Sequence, residues 1–295
     1  MPLDLKGGAE EYLFSLRVER ALAPNTLAAY QRDLAQYLEF LADKAPAPPD
    51  LDRFVNHLYS RGLAPTSVAR KLAAVRGLHR FLVSEGRETD DPTRLLDLAR
   101  PADPFPKALT IDRAIALVEA PDPVTRAGRR DRALLEFLYA TGARVSEAVD
   151  LDLPDLELEE RTALLTGKGS KQRLVPIGSK AVHAITAWLP DRSQLAQRRK
   201  DADAVFLNLR GGRISRQSVF RIVRQHAAAV GIEASTISPH TLRHSAATHM
   251  VEGGADLRSV QVMLGHARIT TTQVYTRVSP QHLVEVFLLS HPRSQ

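Results

Sequence analysis

Basic and proton-carrying side chains are concentrated between Ser238 and Tyr275. This segment holds four histidines and three arginines before Tyr275, but only two acidic residues. Ser238 and Pro239 are typical N-cap and first-turn residues, so we predict a helix that starts here and ends at the next Gly-Gly pair. His240 and Arg243 then share one face near the helix N-terminus, where free backbone N–H groups favour an anion. The spacing predicts a phosphate site.

Two more side chains that could take part in catalysis follow this helix. Apolar residues at helical spacing predict a second, short helix over Asp256–Leu264, ended by Gly265. His266 comes directly after that glycine, and Tyr275 lies nine residues further on. Taken singly, a histidine is most often structural or exposed, and a tyrosine most often packs in a core. The ordered set HxxRH, then GH, then tyrosine is what favours a catalytic interpretation.

This ordered set resembles the tyrosine recombinases, also called the phage integrase family. The resemblance extends to three other stretches, which are TGARVSE, GKGSKQRLVPI and, near the start of the chain, PNTLAAYQRDL. It is closest to the Xer branch of the family, which resolves chromosome dimers. The resemblance implies six catalytic residues, which are Arg144, Lys168, His240, Arg243, His266 and the nucleophile Tyr275.

The resemblance also implies a division of labour during DNA cleavage. Arg144 and Arg243 would hold the non-bridging phosphate oxygens, and Lys168 would protonate the departing 5′ oxygen. His240 would assist proton transfer from the nucleophile, and His266 would donate to the phosphate. Attack by the tyrosine would form a covalent 3′-phosphotyrosyl intermediate, which keeps the bond energy for rejoining. No metal or other cofactor is expected, since the chain has no cysteine and no HExxH-like spacing.

Charge is distributed unevenly along the chain. The net charge is +6, which favours a polyanionic partner, here double-stranded DNA. Residues 1–100 carry 14 basic and 14 acidic residues against 26 and 20 in the rest, so the whole excess lies in the second part. Between Phe54 and Ser84 there are five basic residues and no acidic one. We interpret this stretch as a helix that contacts phosphates. The DNA-binding candidates are Arg70, Lys71, Arg76 and Arg80, together with Arg216 further along.

The elements around these residues are expected to form two domains. Residues 1–99 are predicted to be an N-terminal helical bundle that binds DNA, with an amphipathic helix ending near Leu41. Three prolines within residues 100–107 predict a linker. Residues 108–295 are predicted to form a C-terminal α+β catalytic domain, with a β-hairpin over 162–177. The predicted fold class is mainly α with a small antiparallel β-sheet in the second domain.

Three local predictions concern the second domain. A helix is expected over 179–189, followed by a charged surface loop over 191–203 and a short strand over 205–207. The apolar helix 280–289 could pack on its own domain. The family resemblance implies instead that it docks on a neighbouring protomer.

The partners and competing functions follow from the same chemistry. Strand exchange between two duplexes needs four cleavages, so we expect a tetramer on DNA, homomeric or with a paralogous recombinase. The alternatives are a transposon or phage integrase of the same chemistry, a type IB topoisomerase-like nicking enzyme, or a sequence-specific DNA-binding protein that has lost catalysis. No apolar run approaches the ~20 residues that span a bilayer, and the start lacks a signal-peptide core. We therefore expect no membrane anchor and a cytoplasmic protein.

Overall fold

The structure is a computed structural model that describes most of the chain. The described residues are 4–18, 22–42, 46–94, 96, 108–167, 169–196, 203–265 and 279–294. The chain divides into two compact units, Met1–Pro104 and Phe105–Gln295, with the division inside the range predicted for the linker. Residues 97–107 lie outside the described ranges, so the linker stays a prediction. The described residues are mainly helical with one small antiparallel sheet, and the predicted fold class is confirmed.

The described part of the N-terminal unit is a bundle of helices. Three of them carry proline in the first turn, where the missing N–H breaks no helical bond. Tyr37 and Phe54 are fully buried in its core. The buried Tyr37 hydroxyl lies 2.9 Å from His79 Nε2, and His79 Nδ1 lies 2.8 Å from Glu88. The helices are α1 (Leu5–Val18), α2 (Pro24–Leu41), α3 (Pro48–Ser60) and α4 (Pro65–Ser84).

The C-terminal unit surrounds one nearly buried helix. Its helices are α5 (Ile111–Glu119), α6 (Arg126–Thr141), α7 (Val145–Asp150), α8 (Ser179–Ala196), α9 (Arg216–Ala229), α10 (Pro239–Glu252), α11 (Leu257–Leu264) and α12 (Pro280–Ser290). In α6 every side chain from Ala133 to Thr141 is buried, and α5, α8 and α10 pack against this helix. A helix segment that is buried on all sides belongs to the core of its domain. Helix α6 therefore anchors the turn that follows it.

A three-stranded antiparallel sheet lies in the same unit. Its strands are β1 (Leu156–Glu157), β2 (Thr162–Thr166) and β3 (Gln172–Pro176), in the order β1-β2-β3. Thr162 pairs with Pro176 and Thr166 with Gln172, so β2 and β3 form the predicted hairpin. Its turn brings Gly167 back to Lys171 through a 2.8 Å backbone hydrogen bond.

Two of the local predictions are wrong where the structure tests them, and residues 197–202 of the expected loop lie outside the described residues. Helix α8 continues through Pro190 to Ala196, where a surface loop was expected. The charged Asp191 and Arg192 are buried, because Asp191 pairs with Arg129 at 2.6 Å and Arg192 donates to a backbone carbonyl. Residues 205–207 form no strand: isolated bridges are made by Ala204, just before them, and by Leu207, the last of them. Charge alone does not mark a loop when each charge has an internal partner.

The final helix packs on its own domain. Leu283 and Phe287 of α12 are buried in the core of the C-terminal unit, while Leu289 is 85% exposed. The residues after the helix are also fixed, since Arg293 pairs with Glu136 and Glu119. In the single chain, α12 is therefore packed on its own domain and is not free to dock on a neighbouring protomer through these buried side chains. Docking stays a prediction for the assembly on DNA.

The buried His291 makes the stability of this unit sensitive to acid. Its Nε2 donates to the Tyr139 carbonyl, and its Nδ1 accepts from the Arg293 backbone N–H, so the ring is neutral. Burial lowers the pKa of His291 from 6.5 to about 3, and the nearby His249 and Arg293 add to the shift. In the unfolded chain His291 therefore binds a proton below about pH 6.5, whereas in the folded chain it binds one only near pH 3.

We expect protonation of His291 in the unfolded chain to lower the free energy of unfolding by about 2 kcal/mol when the pH falls from 7 to 5. Urea unfolding of wild type and His291→Gln at both pH values would measure the effect. The variant is expected to be less stable at pH 7 but to lose less stability on acidification. Equal losses in the two proteins would assign the acid sensitivity to other groups.

Candidate active site

The turn between α6 and α7 places Arg144. Gly142 ends α6 in the left-handed conformation (φ 57°), which a residue with a side chain adopts at a cost, and a Cβ there would lie 2.6 Å from Leu264. Arg144 is then the N-cap of α7. The carboxylate of Glu147 accepts from the Arg144 backbone N–H at 2.7 Å and from Nη1 at 2.8 Å. Arg144 is thus held through both its backbone and its guanidinium group.

Helix α10 supplies the second arginine and a histidine. Ser238 is its N-cap, and its hydroxyl accepts from the Thr241 N–H as predicted. Arg243 donates from Nη1 to the Gly142 carbonyl and from Nη2 to the Leu264 carbonyl, both at 2.6 Å. His240, on the first turn, is exposed, and its ring lies edge-on to Phe220. The structure therefore brings Arg243 to the turn that carries Arg144.

The far end of α10 is anchored by a buried hydrogen-bond chain. His249 Nε2 lies 2.7 Å from the Leu109 carbonyl, which can only accept, so this nitrogen carries the proton. His249 Nδ1 then accepts from the Tyr139 hydroxyl at 2.7 Å. Ser245 accepts from the Leu109 backbone N–H at 2.9 Å. These bonds fix α10 against α6 and the start of α5, and so fix the helix that carries Arg243.

Sequence reasoning missed Arg173, on strand β3. Its side chain is only 8% exposed and makes a two-fold ion pair with Glu147. The Nη1 and Nη2 atoms lie 2.8 and 2.7 Å from the two carboxylate oxygens, and Nε donates to the Met263 carbonyl at 2.7 Å. The available signal was its place in GKGSKQRLVPI, a hairpin strand in which an arginine on the inner side requires an internal anion.

The three arginines converge on the C-terminus of α11. Arg173, Arg243 and Arg144 donate in turn to the consecutive carbonyls of residues 263, 264 and 265. A helix C-terminus presents unpaired carbonyls and a negative dipole end, both of which favour cations. The guanidinium groups of Arg144 and Arg243, bound to adjacent carbonyls, are therefore neighbours. Among the described residues, these three positive groups face one carboxylate, that of Glu147, so positive charge exceeds negative charge by two here.

The pKa values reflect this excess of positive charge. Burial is the main cause that lowers the pKa of Arg243 to about 10, and the neighbouring Arg144 and Arg173 contribute to this shift against the opposing effect of Glu147. Burial alone would raise the pKa of Glu147, but hydrogen bonds from Arg173 and Arg144 outweigh burial and hold it below its usual value. A bound phosphate would relieve the repulsion between the arginines.

Each guanidinium also keeps donors for such an anion. A guanidinium has five N–H donors. Among the described residues, Arg144 uses two of them on Glu147 and Gly265, and Arg243 uses two on Gly142 and Leu264. The remaining donors can bind phosphate oxygens in the forked geometry that arginine favours.

Three predicted catalytic residues lie outside the described residues, namely Lys168, His266 and Tyr275. Chain neighbours of the first two are described: Gly167 and Gly169 flank the lysine position, and Gly265 precedes His266, whereas both neighbours of Tyr275 lie outside the described residues. Of the six predicted catalytic residues, the structure describes the surroundings of Arg144, His240 and Arg243. Their roles remain proposals.

The predicted DNA-binding residues of α4 have different surroundings. Arg70 and Lys71 both pair with the buried carboxylate of Asp33, the lysine at 2.8 Å. Arg76 turns inward and donates to the carbonyls of residues 93 and 96. Arg80 is 69% exposed, with Asp91 at 3.8 Å. In the other unit, Arg216 is exposed in the first turn of α9.

Comparison with protein families gives two matches that together span most of the chain. The phage integrase family matches residues 107–282, and the phage integrase N-terminal SAM-like domain matches residues 9–86. The first match alone covers more than half of the chain. The chain belongs to the phage integrase family, the tyrosine recombinases. The resemblance seen in the sequence is confirmed.

Relatives that match over nearly their whole length support the Xer branch of the family. Tyrosine recombinase XerD of Bifidobacterium longum is 45% identical over 303 residues, covering 97% of each chain. Tyrosine recombinase XerD of Mycobacterium tuberculosis strain H37Rv is 46% identical over 318 residues, covering 100% of this chain and 99% of the relative. The chain is thus similar to Xer recombinases along its whole length.

Solved recombinase structures share the fold at lower identity. XerH site-specific recombinase bound to palindromic difH substrate, in a post-cleavage complex, has a TM-score of 0.70 at 22% identity, covering 95% of this chain and 84% of that one. A lambda integrase tetramer bound to a Holliday junction has a TM-score of 0.69 at 17% identity, covering 92% and 76%. No helix among the described residues is long and apolar enough to cross a membrane.

Proposed function

We propose that the protein is a site-specific DNA recombinase that cleaves and rejoins strands through a covalent 3′-phosphotyrosyl intermediate. The observation that carries the proposal is the convergence of Arg144 and Arg243 on adjacent carbonyls at the end of α11. The two guanidinium groups have donors to spare there for the oxygens of one phosphate. Sequence-specific binding alone has no need of two partly buried, mutually repelling arginines at one point.

The chain's own groups suffice for the chemistry. Arg144 and Arg243 hold the scissile phosphate and stabilise the charge that builds on its oxygens during attack. Tyr275 attacks the phosphorus, His240 assists removal of its proton, and Lys168 protonates the departing 5′ oxygen. His266, which follows the α11 cap in the chain, donates to the phosphate. Attack by a 5′ hydroxyl reverses these steps and rejoins the strand.

We further propose that the protein resolves chromosome or plasmid dimers, as its similarity to XerD proteins suggests. It acts in the cytoplasm on double-stranded DNA as a tetramer, homomeric or with a paralogous recombinase. Residues 1–99 bind the core of the site, and residues 108–295 cleave it. Within the tetramer the exposed Leu288 and Leu289 of α12 are available for a neighbouring protomer.

The test is a nicked duplex with a candidate crossover site, whose cleavage releases a short fragment and traps the enzyme on a 3′ phosphate. A covalent band on a denaturing gel is the expected result. A second duplex with a free 5′ hydroxyl then separates the enzyme classes, since a recombinase joins it to the trapped strand, whereas a topoisomerase reseals its own substrate. Binding without a covalent band, even with several sites and a partner recombinase, would leave a DNA-binding protein.

The arginines of α4 allow a test of the N-terminal DNA surface. Arg80 is exposed and Arg76 is bonded inward, so their replacements should differ. We expect Arg80→Ala to weaken DNA binding and to reduce the slope of log affinity against log salt by ~0.9, the share of one phosphate contact. Arg76→Ala should instead lower stability with an unchanged salt slope. Titrations at four salt concentrations, beside thermal unfolding, would measure both effects. An unchanged slope for Arg80→Ala would remove Arg80 from the interface.

A further inference from the structure

Arg173 lies at the junction of three elements of the catalytic domain. It belongs to β3, its Nη atoms bind the carboxylate of Glu147 on α7, and its Nε binds the Met263 carbonyl on α11. The side chain is 8% exposed and the Glu147 side chain 1% exposed. A residue this buried cannot reach DNA phosphates from outside. Its donors are used to join elements of the protein.

The partners of Arg173 are the partners of Arg144. Glu147 Oε1 accepts from Arg173 Nη1 and from Arg144 Nη1, both at 2.8 Å. Arg144 Nη2 binds the Gly265 carbonyl, two residues beyond the carbonyl that binds Arg173. Arg173 therefore binds one of the two groups that hold the Arg144 guanidinium, the Glu147 carboxylate, and also the backbone two residues before the other.

Gly265 shows how closely Arg173 fits this position. The glycine caps α11 in the left-handed conformation (φ 66°), and a Cβ on it would lie 3.0 Å from Arg173 Nη1. The guanidinium therefore lies directly against the backbone that leads from α11 to His266. A shift of Arg173 changes the position of that backbone and of Glu147 together.

We propose that Arg173 is a positioning residue for the recombination reaction, acting through Arg144. This inference rests on the proposed function and adds to it a residue that touches neither DNA nor the reacting atoms. Arg173 fixes the distance between Glu147 and the end of α11, and this distance sets where the Arg144 guanidinium points. Lysine cannot replace it, because one ammonium group cannot bind both carboxylate oxygens and a carbonyl in the planar geometry of arginine.

The experiment measures single-turnover cleavage of the nicked duplex by the full chain and by the variants Arg173→Lys, Arg144→Lys and the double variant. We expect Arg173→Lys to bind DNA with wild-type affinity but to cleave about tenfold to a hundredfold more slowly, the loss typical of a misplaced catalytic group. If Arg173 acts through Arg144, the double variant should cleave no more slowly than Arg144→Lys alone.

Arg293→Lys is the matched control. Arg293 is likewise buried and pairs with a carboxylate, that of Glu136, which is 1% exposed, but it lies on the C-terminal segment away from the arginine cluster. We expect Arg293→Lys to lower the thermal unfolding midpoint about as much as Arg173→Lys and to slow cleavage by less than about threefold. Its effect on the cleavage rate should be additive with that of Arg144→Lys.

Two results would overturn the inference alone: cleavage by Arg173→Lys at the rate of Arg293→Lys, or additivity of Arg173→Lys with Arg144→Lys. Absence of cleavage by wild type would instead overturn the proposed function, and this inference with it. The thermal unfolding midpoints ensure that only folded variants are compared.

Discussion

Tyr275→Phe is expected to abolish the covalent protein–DNA complex while leaving DNA binding intact. Phenylalanine keeps the ring but lacks the oxygen that attacks phosphorus, so no phosphotyrosyl bond can form. We expect the rate of cleavage to fall at least ~10⁴-fold, as for other enzymes that lose their nucleophile. Binding should change little, because many phosphate contacts share the affinity. Denaturing gels of the trapped nicked duplex and mobility shifts of the intact duplex would measure the two quantities.

Tyr59→Phe is a suitable control for this variant. Tyr59 lies on α3 and is 49% exposed, so removal of its hydroxyl tests the same chemical change outside the catalytic domain. It should form the covalent complex at the wild-type rate. A covalent band that persists in Tyr275→Phe would assign the attack to another residue, which mass spectrometry of the DNA-linked peptide would identify.

The local surroundings of Arg144 and Arg243, the proposed catalytic arginines, could be predicted because they depend on residues nearby in the chain. His240 and Arg243 lie on one helix, and the sequence predicts its N-cap, Ser238. The structure has the same cap. Arg144 follows Gly142, and a glycine is typical of a helix end such as that of α6. Helix periodicity and caps depend on residues a few positions apart, so sequence patterns describe them well.

The supporting contacts could not be predicted because they join distant parts of the chain. Arg173 finds Glu147, 26 positions away, and Met263, 90 positions away. The hairpin pattern indicates that this arginine needs an internal anion, but no local pattern tells which distant residue supplies it. The same limit explains the error at Asp191 and Arg192, whose charges suggested a loop but have partners far along the chain or on its backbone.

The basic face of α4 shows a related limit. Helical periodicity places the Cβ atoms of Arg70, Arg76 and Arg80 away from the apolar side of α4, and the side chain of Arg80 is indeed exposed. Arg76 starts from the same face, yet its long side chain reaches the carbonyls of residues 93 and 96. Periodicity gives the direction of a Cβ atom, whereas a flexible side chain of this length can end elsewhere.

Arg243→Lys is expected to cause the second largest loss of activity. The arginine binds the Gly142 and Leu264 carbonyls at 2.6 Å and still has donors for a phosphate. A lysine ammonium has three donors at one point, so it can keep the carbonyls or reach the phosphate, but cannot do both. We expect single-turnover cleavage to fall about 10²-fold to 10³-fold, the loss typical for one donor to a transition-state oxygen.

The loss should lie in the cleavage step and not in binding. Burial and its arginine neighbours lower the pKa of Arg243 to about 10, so the group is still charged at neutral pH but poorly solvated. An incoming phosphate restores the missing counter-charge, and its stabilisation grows as negative charge builds on the oxygens. Arg258→Lys, at an exposed position on α11, is the control and should cleave normally. If Arg243→Lys weakened binding as much as cleavage, Arg243 would hold DNA in the ground state and contribute nothing specific to the transition state.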